Sequence, residues 1–345
     1  SKMGAATGKG FADLIRERFG IRLTALAMLT LLIGNVATTF SEFAGIASGM
    51  EIFGVSKYFS VPVAAIAVWI LISSGSYKRV QKIFFVLSFV FVTYVIAAFM
   101  SKPDWNLALH DTVIPQFRND SEYFTLMISM VGTTIAPWMM FFTQSNIVEK
   151  GVRMRNFLGS KVDAVGGTIA ACLVAWFIIV TTGSVLFPAG ISIDSAADAA
   201  KALVPFAGEY AEALFAIGLI SASFLAACVL PLTTSFVICA AFGWEAGIDL
   251  KWEEAPIFKG IFTFVIVLSV IVVLIPNSDL MEVMLTSQFV NGIILPVLLI
   301  FMALISRNQR IMNGYAAGRL TNALLWITIA LVIILTIAMF VTQYI

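Results

Sequence analysis

Met130-Val-Gly-Thr-Thr-Ile-Ala-Pro-Trp-Met-Met-Phe-Phe-Thr-Gln-Ser-Asn-Ile-Val-Glu149 is an apolar run long enough to cross a bilayer, and it is broken in its middle. Pro137 has no N–H to bond the carbonyl of Thr133, and Gly132 with the β-branched run Thr133, Thr134 and Ile135 holds the helix only weakly before it. The stretch reads as a discontinuous membrane helix, interrupted near 133–137. In hydrocarbon, unpaired backbone carbonyls are tolerated only where protein buries them or a wet cavity meets them, so a break at mid-depth marks an ion or substrate site. A plain proline kink, which membrane helices also tolerate, is the alternative at this point.

Composition places the rest of the chain in the same setting. Of 345 residues, 60% are hydrophobic and 12% charged, with a mean hydropathy of +0.98. A soluble chain of this length needs more charge to cover its surface. The intervals between charged residues predict an all-α, multi-pass membrane bundle with nine spans. They fall near 23–48, 58–77, 80–101, 123–148, 163–187, 206–243, 257–276, 281–306 and 320–344. With residues 1–22 in the cytoplasm, seventeen basic residues lie inside, against Lys57, Lys102, Arg118 and Lys201 outside. The positive-inside rule then sets the N-terminus in the cytoplasm and the C-terminus outside. No secretory leader pattern is visible at Ser1.

Along the chain, residues 1–20 read as a helix end, a Gly-containing turn and a short amphipathic helix. Gly4, Gly8 and Gly10 lack the Lys-Ser/Thr of a phosphate loop. The first span carries a polar seam of Asn35, Thr38, Thr39, Ser41 and Glu42. Glu42 is either hydrogen-bonded near the helix end or placed on an ion path. Spans 58–77 and 80–101, joined by a basic turn at Ser76–Lys82, read as scaffold. His110 is expected in a solvated loop, Asn119-Asp-Ser121 matches a glycosylation sequon weakly, and 188–212 reads as a solvated acidic loop. Residues 213–244 read as one helix kinked at Pro231 with the cluster Thr233, Thr234 and Ser235. Cys172, Cys228 and Cys239 read as packing residues. In 281–306, Gln288 and Asn291 are three apart and share a face; they either join helices or offer oxygens to a cation.

Four stretches carry a resemblance: GAATGKGFADLIRERFG near the start, VATTFSEFAGIASG at 36–49, AIGLISASFLAACVLPLTTSFVI at 216–238, and TSQFVN at 286–291. Together they resemble the Nramp family of divalent-metal transporters over nearly the whole chain. The resemblance implies a LeuT-type architecture of two inverted five-helix repeats, with these spans as the family's third to eleventh helices. It also implies that the family's first two helices, with the Asp-Pro-Gly-Asn segment supplying two metal ligands, are not in this sequence.

Where the family's sixth helix reads Met-Pro-His with a second His five residues on, this chain has Ala136, Pro137, Trp138 and Thr143. The soft thioether, which favours Mn²⁺, Fe²⁺ or Cd²⁺, is missing, and oxygen ligands suit a hard ion that keeps several waters. The metal contacts this implies are the carbonyls of Thr133 and Ala136 and the amide of Gln288. Pro137, Trp138, Thr143, Asn291, Glu42 and Thr39 are the cavity or supporting residues. Thr39 stands where proton-coupled members carry Asp, and both sixth-helix histidines are missing, so a proton relay lacks titratable groups. The pattern is similar to the prokaryotic Nramp-related magnesium transporters. It implies an inner-membrane carrier of Mg²⁺, with Mn²⁺ also carried, without proton coupling. Neither a catalytic residue nor a resident cofactor is expected, the metal being substrate. The expected partners are the divalent ion and the bilayer, with no nucleic acid and no obligate protein partner.

Three competing readings each require something different of the sequence. A proton-coupled Mn²⁺/Fe²⁺ carrier needs a soft ligand or relay, and an amino-acid permease of the same architecture would bind no divalent ion. A transport-dead Nramp-like sensor expects a long soluble output domain. An enzyme would need a nucleophile–base pair or metal-ligand cluster.

Overall fold

The computed structural model describes residues 1–73, 86, 89–114 and 120–344. Among them there is no strand, and the chain is a helical bundle. The basic turn at Ser76–Lys82 and Asn119 of the sequon lie outside the described residues.

The helices are α1 (Lys2–Thr7), α2 (Phe11–Ile52), α3 (Lys57–Ser73), α4 (Thr93–Met100), α5 (Trp105–Val113), α6 (Ser121–Thr134) and α7 (Pro137–Glu149). Then come α8 (Phe157–Val185), the short α9 (Ala196–Ala200) and α10 (Val204–Ala207), α11 (Ala211–Phe242), α12 (Pro256–Val273), α13 (Leu280–Ser306) and α14 (Arg319–Tyr344). By length and composition, seven helical stretches can cross a membrane, and Lys57–Ser73 and Phe89–Met100 are shorter apolar helices.

The long α2 is the axis of the bundle, packed most extensively against α11 and α13. Gly20 departs from helical geometry (φ 76°, ψ 178°) and separates its amphipathic first turns from the apolar remainder; only glycine adopts that conformation without strain. Lipid is as apolar as a leucine, so close packing rather than solvent exclusion drives helices together here. Small residues provide it. Gly45 faces Ser223 and Gly49 faces Ile220, both on α11, with no room for a methyl group at either.

Two apolar clusters cover the ends of α2. One gathers Phe11, Ile15, Leu31, Phe141, Leu298 and Ile305 near its N-terminal half; the other gathers Phe43, Val61, Val68, Phe224, Phe262 and Val273 further along.

Buried ammonium groups hold both ends of α12. Lys57 of α3 donates from Nζ to the carbonyls of Ile275 (3.3 Å) and Ser278 (3.1 Å) and to Ser278 Oγ (2.8 Å), just past the C-terminus of α12. A cation is favourable there because a helix C-terminus carries partial negative charge. At the other end Lys259 donates to the carbonyl of Ile248 (3.0 Å).

Several expectations change. Residues 188–212 are not a solvated loop: Ala196, Ala200, Ala202, Leu203 and Ala211 are buried, because α9 and the turns after it fold back onto α11. Span 206–243 is interrupted at Gly208 (φ 53°), and its continuous helix starts at Ala211. Cys228 and Cys239 are buried, but Cys172 is exposed on α8. His110 is exposed beside Asp111, on α5 rather than in a loop.

Candidate functional site

The site grows from the break between α6 and α7. Helix α6 ends at Thr134, Ile135 has φ −117° and ψ 65°, Ala136 is extended at φ −65° and ψ 131°, and Pro137 is the first residue of α7. The cause is local. Proline's ring disfavours a helical residue before it and its missing N–H costs nothing at a helix start, so the chain leaves one helix and begins another. Ile135 N still bonds the carbonyl of Val131 (2.9 Å), and Met139 N bonds that of Ala136 (3.1 Å). Thr133 receives no such bond from Pro137. The break thus joins the carbonyl end of one half-helix to the amide end of the next, two opposed partial charges. Ala136 and Pro137 are buried, whereas Thr133 is exposed.

A glycine pair fixes the break against α13. A Cβ on Gly132 would lie 2.5 Å from the amide nitrogen of Gly292 and collide with the carbonyl oxygen of Gln288, while Gly292 is pressed equally closely on the carbonyl of Ile128. Backbone therefore meets backbone, and Gln288 stands beside the residue that precedes Thr133. Gln288 is half-buried, with Nε2 donating to Ser287 Oγ (3.0 Å).

Asn291, one turn further along, is fully buried and turns to α2, donating from Nδ2 to Thr38 Oγ1 (2.8 Å). On the other flank of α2, Asn35 Nδ2 donates to Thr234 Oγ1 of α11 (2.6 Å). Thr39 is buried and folds its hydroxyl back onto the carbonyl of Asn35 (2.6 Å). Glu42, a turn beyond, accepts a hydrogen bond from Ser223.

Trp138 leans along α7 onto Phe142, ring centroids 5.6 Å apart, and packs on the apolar cluster around Phe11. Thr143 is half-buried on the same helix. The structure therefore brings Gly132, Thr133, Gln288 and Asn291 to one crossing, and sets Trp138 and Thr143 along α7 beyond it.

Three features escaped the sequence reading. The Gly132–Gly292 contact left only two glycines as its signal. The Asn35–Thr234 bond pairs residues visible separately as intramembrane polar groups. Gln144 is buried and donates to the carbonyl of Lys9 (2.9 Å), joining α7 to the turn after α1.

At the far end of α2 a cavity of about 510 Å³ opens between α2, α3, α9 and the start of α13, with Glu51, Lys57, Asp194 and Asp279 on its walls. Among the described residues no three His, Cys, Asp or Glu side chains gather as a metal site. The break carries backbone carbonyls, and α13 carries the Gln288 and Asn291 carboxamides beside it.

Residues 1–342 match the family model described as natural resistance-associated macrophage protein-like. The chain is 22% identical over 331 residues to the divalent metal cation transporter MntH of Caldanaerobacter subterraneus, covering 92% of this chain and 75% of that protein. It is 20% identical over 354 residues to the MntH of Bacillus subtilis, covering 100% and 80%. In fold it is similar to a crystal structure of an Eremococcus coleocola manganese transporter variant, with TM-score 0.71 and 18% identity over 99% of this chain and 75% of that one.

Proposed function

We infer function from one premise, that the chain belongs to the Nramp family: it is a multi-span membrane carrier of divalent metal cations, not an enzyme. Nine crossings serve that role, the apolar helices Lys57–Ser73 and Phe89–Met100 supplying two beside the seven longer stretches. The cation meets the chain at the Thr133–Pro137 break, through the carbonyls of Thr133 and Ala136 and the side-chain oxygen of Gln288. Pro137 keeps the break open, and Trp138, Thr143, Asn291, Glu42 and Thr39 support it. The N-terminus lies in the cytoplasm and the C-terminus outside.

The cargo we propose is Mg²⁺, with Mn²⁺ also accepted. The observation that carries this is Ala136: it is buried at the break and brings no sulfur where the family resemblance places methionine, and its carbonyl, which takes the bond from Met139 N, keeps a second lone pair for the ion. Oxygen donors suit an ion that sheds its water reluctantly. We also propose that transport is not coupled to protons, because the crossing holds threonine, asparagine and glutamine.

A second reading, proton-coupled Mn²⁺ transport, is favoured by the names of the relatives and by Glu42, a carboxylate set within α2. Uptake of Mg²⁺ into proteoliposomes carrying the full-length protein, with Mn²⁺ competition and an internal pH dye, separates the two. Saturable Mg²⁺ entry without acidification is expected. Mn²⁺ entry with proton flux and no Mg²⁺ uptake would establish the second reading instead.

A further inference from the structure

Asn35 lies on α2 one turn before Thr38, the partner of Asn291 on α13, and each asparagine uses only half of its amide. Their Nδ2 groups donate to Thr234 and Thr38. Each of those hydroxyls has one proton, already given to the carbonyl four residues back: Thr234 to Leu230 (2.7 Å) and Thr38 to Gly34 (2.9 Å). With their protons so placed the hydroxyls accept, and turning either amide over would require the threonine to release its carbonyl before it could donate to the amide oxygen. Both Oδ1 atoms are left without a donor among the described residues, although both side chains are fully buried.

Stability does not account for this. A leftover acceptor in a low-dielectric interior costs at least as much as the neutral hydrogen bond on the other side of the same amide contributes. Leucine at both positions would fill similar space, and neither threonine would lose a partner for its proton. Buried acceptors left unpaired in this way call for another explanation.

Their placement suggests one. Asn291 shares a face of α13 with Gln288, and its oxygen sits over Gly34, where a Cβ would come within 2.9 Å of it. Ile294 Cδ1 lies closer still to that point, at 2.6 Å, so the amide oxygen and this methyl group together leave room only for glycine.

We propose that the amide oxygens of Asn35 and Asn291 accept hydrogen bonds from the water that a divalent cation carries through the middle of the protein. The inference rests on the divalent-cation reading above. Water bound to such an ion is a strong donor, and an ion that keeps part of its hydration needs acceptors for those protons as well as direct ligands. Neutral carboxamides supply acceptors without trapping the charge. In this structure helix packing closes both oxygens off. They become reachable when α13 shifts away from α2.

The test compares Asn35→Leu, Asn291→Leu and the double variant of the full-length protein in proteoliposomes, reading thermal unfolding beside Mg²⁺ and Mn²⁺ uptake. Melting temperatures equal to or above the parent's are expected, with Mg²⁺ uptake falling roughly tenfold and Mn²⁺ uptake falling less. Unchanged uptake would overturn the proposal. So would a drop in melting temperature with equal losses for both ions, since that is the signature of a structural contact. A parent protein that carries Mn²⁺ but not Mg²⁺ would refute the ion assignment alone, and loss of Mn²⁺ uptake at retained stability would still support the role of the amides. A parent that carries neither ion would overturn both.

Discussion

Gly132 and Gly292 meet backbone to backbone, so the first half of the broken helix and α13 lie too close to admit a Cβ at either position. Any side chain there must push α6 off α13. Gly132→Ala is expected to destabilise the protein by about 1–3 kcal/mol, seen as a melting temperature several degrees lower, and to reduce uptake. Gly292→Ala should act the same way through Ile128, and the double variant should cost less than the two losses added, because both open one contact.

On the proposed reading, Ala136 leaves the break without a sulfur donor. Ala136→Met adds a thioether beside an otherwise oxygen-lined position, so Mn²⁺ or Cd²⁺ uptake is expected to gain on Mg²⁺ uptake by about tenfold. Competition assays with fixed Mg²⁺ and graded Mn²⁺ measure the ratio. An unchanged ratio would remove Ala136 from the ion's surroundings.

Gln288 stands where α13 crosses the break. Gln288→Ala is expected to raise the half-saturating concentration of the transported ion about tenfold, some 1.4 kcal/mol, with melting temperature nearly constant because the side chain is only half-buried and, among the described residues, bonds only Ser287. Uptake kinetics over a range of ion concentrations check it.

Lys57→Met would leave the carbonyl of Ser278 without the ammonium that caps it. A loss of about 1–3 kcal/mol is expected, read as lower thermal stability, and Lys57→Arg should restore part of it. No recovery with arginine would mean that the compact geometry of the ammonium, rather than a positive charge alone, matters at this position.

The sequence made the break visible because its cause is local: Pro137 interrupts α6 and α7 whatever surrounds them. The polar seams were visible for a related reason, since Asn35, Thr38 and Asn291 are conspicuous in apolar runs. Which of them would pair was not visible. Thr38 finds Asn291 and Asn35 finds Thr234 only because α2 lies between α11 and α13, residues nearly 200 or more positions away. Residues 188–212 misled for the opposite reason. Their acidic side chains suggested a solvated loop, while the alanines between them, too small to register as a hydrophobic stripe, fold onto α11.

Helix α12 is moored at both ends, by Lys57 beyond its C-terminus and by Lys259 within its first turn. A rod fastened in this way is a natural origin for measuring motion elsewhere. Val267 and Ile271 project from it into the surroundings, about half exposed. A spin label or fluorophore placed at either would report displacements of α6 or α13 as distances from a fixed point, so that movement of the label's own helix need not be disentangled from that of its target.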